Sequence, residues 1–186
     1  MPRTPGAALV LALLYLAGAP PAAAQDGEGP ALPTAWQGEW EGTCRLAAPG
    51  GGARDFAMEL RVAPVEGAAA WTWTMVYGEG EEKEVRDYRL VAAPSERGRF
   101  VLDEENGIRI DMALVGEVLY GEFEVGSSRI ASRFERRGES LLVEMASYAI
   151  PEPRVTQDEG GANTVRSFRL ASVQSGSLTR GASGGE

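Results

Sequence analysis

Histidine is absent from the 186 residues, cysteine occurs once, at Cys44, and Lys83 is the only lysine. Without histidine there is no Ser-His-Asp or Cys-His nucleophile and no His-ligated zinc or haem. With one cysteine there is no intrachain disulfide. Positive charge is also scarce, at 18 Lys+Arg against 27 Asp+Glu, for a formal charge of −9. Nucleic-acid binding leans on a basic surface, so no nucleic-acid partner is expected. What remains is 44% hydrophobic and 24% charged, with 8% aromatics, a composition that suits one folded domain.

The N-terminus has the three parts of a secretory signal peptide. Arg3 is the positive start, Ala7 to Leu16 the apolar stretch, and Ala22-Ala23-Ala24 the small-residue cleavage site. Pro20 and Pro21 end the apolar run short of the ~20 residues that a membrane span needs. Residues 1–24 are therefore expected to be cleaved near Ala24, leaving a periplasmic or extracellular protein one unit more acidic and without a membrane span. No cysteine stands at the expected cleavage site, which argues against a lipid anchor. Stability outside the cell must then come from the core. Cys44, two residues past Gly42 on a strand pattern, reads as a buried small hydrophobe rather than a reactive thiol.

Residues 25–35 form a Gly/Pro/acidic lead-in and 175–186 a Gly/Ser-rich tail, both expected to be flexible. Between them, over 36–174, apolar and polar residues alternate and turn residues recur every 8–12 positions. Strands are expected at 38–46, 54–62, 70–77, 84–92, 98–103, 108–115, 118–125, 128–136, 139–147 and 164–173.

The turns set register. A Gly126-Ser127 loop pairs Phe123 with Ile130, Leu119 with Phe134, and Glu124 with Arg129. Gly116-Glu117 pairs Leu114 with Leu119, Ile110 with Phe123, and Arg109 with Glu124. A three-residue loop at Glu105-Asn106-Gly107 sets Leu102 against Ile110, Phe100 against Met112, and Asp103 against Arg109. Arg137-Gly138 as a turn would pair Phe134 with Leu141 and Ile130 with Met145. All four put the same residues on one apolar face of a meander. One pairing is poor, Asp111 opposite Glu122. About ten twisted antiparallel strands tend to curl or close. The expected fold is all-β, an up-and-down meander closing into a barrel, with a two-sheet sandwich as the alternative.

The first strand reads Gly38-Glu39-Trp40-Glu41-Gly42. This Gly-x-Trp resembles the opening of lipocalins and related calycin barrels. The resemblance implies a calycin-like barrel with Trp40 at the closed end and an Arg from a late strand across its ring. Arg166 and Arg169 fall in about the right place, and Arg169 shares the face of Val165 and Ser167. The segment also resembles the start of nitrobindin-like barrels, whose haem-ligating histidine has no counterpart here, so no cofactor is implied.

Strict alternation in Trp71-Thr72-Trp73-Thr74-Met75-Val76-Tyr77 puts Trp71, Trp73, Met75 and Tyr77 on one face. They suit the wall of an apolar pocket, with indole N–H and phenol O–H groups as polar handles, and equally the filling of a small barrel. On the next strand Arg86 shares a face with Tyr88 and Leu90. Arg86 at the mouth is read as paired with a strand carboxylate or as an exposed rim position, or else as holding the carboxylate of a ligand. Glu79, Glu81, Glu82 and Glu84 read as a solvated acidic loop, lacking the Asp/Asn/Gly spacing of a calcium loop. Asp111, Glu122 and Glu144 fall on the charged outer face, so they make no catalytic pair, and Lys83 lacks the desolvated pocket that a Schiff base needs.

The first reading is a secreted lipocalin-like protein binding a small apolar or amphipathic molecule through Trp71, Trp73, Tyr77, Arg86 and Tyr88. The alternative is a filled-barrel interaction module, such as a secreted protease inhibitor acting through its lead-in. An enzyme of the isomerase or cyclase kind comes last, because no catalytic constellation is found.

Overall fold

The computed structural model describes residues 31–181. The expected signal peptide, residues 25–30 of the lead-in and residues 182–186 lie outside them. Ten strands follow in chain order: β1 Gly38–Ala47, β2 Ala53–Pro64, β3 Ala70–Tyr77, β4 Glu84–Ala92, β5 Arg99–Asp103, β6 Arg109–Val115, β7 Val118–Val125, β8 Ser128–Arg137, β9 Ser140–Gln157 and β10 Thr164–Arg180. Each pairs antiparallel with its chain neighbours and β10 pairs with β1, so the meander closes into a barrel. No helix among the described residues is long and apolar enough to cross a membrane.

Closure follows from alternation. Every strand of the barrel carries an inward apolar row, and joining β1 to β10 satisfies the two edges that an open meander would leave bare. Three turns behave as their residues dictate. Phe123 pairs with Ile130, Leu119 with Phe134, Leu114 with Leu119 and Leu102 with Ile110. Gly107, Gly116 and Gly126 take the positive φ angles that these tight loops require.

The fourth turn differs. Phe134 pairs with Val143 and Ile130 with Ser147, so the loop is Gly138-Glu139 rather than Arg137-Gly138. The slip is two residues, and with a side-chain period of two it leaves every residue on its expected face. Val143 and Leu141 are buried as expected.

A second departure concerns the β6–β7 ladder. It runs from Val115↔Val118 only to Met112↔Gly121, although both strands continue. The pairings Ile110–Phe123 and Arg109–Glu124 do not form. Arg109 turns back to Asp103 at 3.1 Å, and Glu124 accepts from Arg129 at 2.8 Å. The ladder stops where Asp111 would face Glu122, a directly opposed pair of like charges that costs roughly 0.2–1 kcal/mol relative to a neutral pair.

The lead-in and tail also differ from expectation over the described residues. Thr34–Trp36 forms a 3-10 turn, and Leu32 and Trp36 are buried in the core. Residues 175–180, read as flexible, complete β10 and pair with β1 from Trp40↔Arg180 to Arg45↔Ser175. Their small side chains have a packing reason. A Cβ at Gly176 would come within 2.5 Å of the Thr43 carbonyl oxygen and of Cys44 Sγ, and one at Gly42 within 2.5 Å of the Ser177 carbonyl oxygen. The β1–β10 seam is tight because both strands offer glycine.

β9 and β10 outrun the barrel. β8 pairs with β9 only as far as Ala149, and β1 with β10 only as far as Val173, so the far halves of β9 and β10 form a two-stranded ribbon beyond the rim. Register shifts at Ser167/Arg169 and Leu170/Ser172 bend it.

Candidate functional site

The closed end of the barrel is solidly packed. Trp40 is fully buried and its indole Nε1 donates to the Trp36 carbonyl at 3.0 Å. Arg180 lies across the Trp40 ring at 4.3 Å, donating to the carbonyls of Gln37 at 2.5 Å and Ala35 at 2.7 Å and to Glu139 at 2.9 Å. This corrects the assignment of Arg169, which pairs with Ala149 on the ribbon, well away from Trp40; Arg166 is likewise on the ribbon. Arg180 was missed because its strand looks like a linker, with Gly176 replacing inward bulk between Ser175 and Ser177. The available signal was Leu178 and Arg180 resuming a period of two after Gly176. Gly38 belongs to the same arrangement. Its φ is +121°, and a Cβ there would sit 2.5 Å from an Arg180 guanidinium nitrogen.

Trp71 and Trp73 belong to this packed half and not to a cavity wall, contrary to their expected place in a pocket. Trp73 stands edge-on to Phe134 at 5.2 Å and lies 6.3 Å from Trp36; Trp71 meets Phe100 at 6.1 Å. They point inward as alternation requires, but at the start of β3, near the closed end. Alternation sets a face and says nothing of depth.

The other half of the barrel is hollow. A cavity of about 620 Å³ opens between β3 and β9, a volume typical of small-molecule sites. Its apolar lining includes Met75, Tyr77, Tyr88, Phe123, Ile130 and Met145. Three of the five methionines line it, a pliable surface that adapts to irregular ligand shapes. The sequence-chosen residues Tyr77, Arg86 and Tyr88 are all on its wall, on the ends of β3 and β4 that face the open mouth. Phe123, Ile130 and Met145 were not singled out, since each is an ordinary member of an apolar row.

Arg86 is exposed at the rim and meets a strand carboxylate, as both readings without a ligand expected. It pairs with Glu84 at 2.7 Å and lies 5.3 Å from the centre of the Tyr77 ring. Burial pushes the Tyr77 phenol up to about 12, and its hydroxyl donates to Met75 Sδ at 3.4 Å. Burial, with Glu104 nearby, also raises the Tyr88 phenol. Both phenols are therefore neutral hydrogen-bonding groups at ordinary pH. Cys44 sits deep beside Met58, its thiol pushed up to about 11 by burial, so it stays a protonated, unreactive filler.

Comparison with known proteins is informative at the level of fold. No family model matches the chain, and no curated protein matches it by sequence. Among solved structures, the barrel resembles a protein of unknown function of the DUF3598 family from Nostoc punctiforme, with a TM-score of 0.56 at 10% identity, covering 82% of this chain and 50% of that one. The chain thus spans half the length of the Nostoc protein. The S-type phycobiliprotein lyase CPES from Guillardia theta gives a TM-score of 0.55 at 10% identity, covering 80% and 90%. Rv2717c from M. tuberculosis gives 0.50 at 15% identity, covering 80% and 94%. With ten meandering strands, a Gly-x-Trp on the first and an arginine stacked on that tryptophan from the last, the chain has a calycin-like barrel fold.

Proposed function

We propose that the protein is a binding barrel that holds a small apolar or amphipathic molecule in the hollow half, against Tyr77, Tyr88, Phe123 and Met145, and that it acts outside the cytoplasm without catalysing a reaction. The cavity of about 620 Å³ carries this reading, since a barrel of this size is otherwise able to fill itself with side chains. Its lining is mainly apolar with a few polar tips near the mouth, the arrangement that orients an amphipathic ligand. The inhibitor reading comes second, because Leu32 of the lead-in is buried in the barrel core. A fold shared with a phycobiliprotein lyase supports a barrel interior put to use.

Titration with the neutral probe N-phenyl-1-naphthylamine tests the reading. Saturable fluorescence enhancement is expected, and Tyr88→Ala and Phe123→Ala should each weaken binding by about tenfold, equivalent to about 1.4 kcal/mol. Arg86→Leu should leave it within about threefold, because that guanidinium is already engaged by Glu84. Absence of saturable binding by any apolar probe overturns the proposal. For the location, N-terminal sequencing of protein from the native host is expected to begin at Gln25; retention of residues 1–24 contradicts it.

A further inference from the structure

Two neighbouring strands of a closed barrel normally wall off the interior along their whole length. β6 and β7 do so only from Met112↔Gly121 to Val115↔Val118. Toward the open end, Arg109–Asp111 and Glu122–Val125 are both in strands, held by β5 and β8 on their outer sides, yet are not paired with each other. The cavity lining confirms that the wall is open there. Alternation turns Ile110 and Phe123 inward and Arg109 and Glu124 outward, yet all four line the same cavity. Arg109 and Glu124 stand at the open-end tips of β6 and β7, and with the rungs between these strands absent they flank the cavity directly.

The break has a local cause and a charged rim. Asp111 and Glu122 stand where the next rung would be. The two arginines able to bridge it are drawn to the sides, Arg109 to Asp103 and Arg129 to Glu122 and Glu124. Asp103, Asp111, Glu122 and Glu124 stand around the break with Arg109 and Arg129, while Arg99 and Arg133 in the groove outside it are engaged by Glu96 and Glu135. Below it the wall is thin: Gly121 contributes no side chain, and Met112 and Ser132 line both the cavity and a groove of about 480 Å³ on the outer face.

We infer that the cleft between β6 and β7 is the doorway of the cavity, and that its acidic rim passes neutral or cationic amphipathic molecules in preference to anionic ones. The inference rests on the binding reading above and adds the route and the charge of what travels it. A molecule entering by the cleft meets Phe123 and Ile110 first, and its polar end stays between Arg109 and Glu124.

The test blocks one opening at a time. Glu124→Cys puts a thiol on the cleft and Glu81→Cys puts one on the loop between β3 and β4, at the open end; Cys44 is buried and does not compete for a maleimide. Each variant is capped with a maleimide-polyethylene glycol, its fold checked by circular dichroism, and its exchange of N-phenyl-1-naphthylamine followed by stopped flow. The cap at position 124 should slow association and dissociation alike by about tenfold, and the cap at 81 by less than about twofold. At low salt the neutral probe should associate about tenfold faster than 8-anilinonaphthalene-1-sulfonate, the gap narrowing as salt is raised. Equal effects of the two caps, or a larger one at 81, overturn the doorway; an anionic probe that associates as fast overturns the charge preference. Hydrogen exchange on the ligand-free protein separates this from failure of the binding reading. Weakly protected amides at Arg109, Asp111, Glu122 and Glu124, which face the break, beside strongly protected ones at Ile110 and Phe123, which face β5 and β8, are expected even if no probe binds, and uniform protection shows that the wall is closed.

Discussion

Trp40→Ala is expected to destabilise the barrel by roughly 3–5 kcal/mol, the range for removing a large buried aromatic. The ring is fully buried, Arg180 is stacked on it at 4.3 Å, and its N–H anchors the Trp36 carbonyl. Its removal therefore unfastens three chain segments: the lead-in, β1 and the end of β10. Arg180→Leu should cost about 2–3 kcal/mol, combining a cation–π contact of about 0.5–2 kcal/mol with charge-assisted hydrogen bonds to two carbonyls. The two losses overlap, so the double variant should fall short of their sum. Urea unfolding of the four proteins checks this. A cost below about 1 kcal/mol for Trp40→Ala means that the closed end is not locked as described.

A loss of similar size, roughly 3–5 kcal/mol, is expected for Trp73→Ala, again from a buried ring whose space cannot collapse. Trp73 packs between Trp36 and Phe134 and is 0% exposed. Its indole N–H has no partner among the described residues, which makes Trp73→Phe informative. That change removes a buried, unsatisfied donor along with part of the ring, and the two contributions oppose each other. Trp73→Phe should therefore cost less than about 1.5 kcal/mol. Both variants should keep probe affinity within about threefold while folded, since the ring is not on the cavity wall, whereas Tyr88→Ala should lose affinity with little loss of stability. If Trp73→Ala instead abolishes binding in a protein of unchanged stability, the division into a packed half and a hollow half fails.

That division shows where reading the chain succeeds. Whereas β9 and β10, expected to end at 147 and 173, run on to Gln157 and Arg180, the limits of the first eight strands, the closure, and the inward rows through Leu102, Ile110, Leu119 and Phe134 follow from alternation and turn glycines. These are local signals with periods of two and fixed loop geometries. Even the two-residue slip after β8 left the faces unchanged. Asp111 opposite Glu122 already stood out as a poor pair in the sequence, and it marks where the β6–β7 ladder ends.

Depth along the barrel was not legible in the same way. Trp71, Trp73 and Tyr77 share one face of one strand. Which of them packs and which lines the cavity depends on nine other strands arriving at the same level. Arg180 and Leu32 were hidden for a related reason. Their segments look like linkers when judged by composition, because what orders them is a partner more than a hundred residues away or the floor of the barrel. By itself, then, the sequence determined an all-β meander and which side chains point inward, since these depend on spacing between near neighbours; Trp40 at the closed end was implied by the resemblance of Gly38-x-Trp40 to calycin openings. Only the tertiary structure decided that Arg180 rather than Arg169 covers Trp40, that half of the interior is empty, and that the wall parts between β6 and β7. Those depend on distances between residues remote in the chain, which closing the barrel sets.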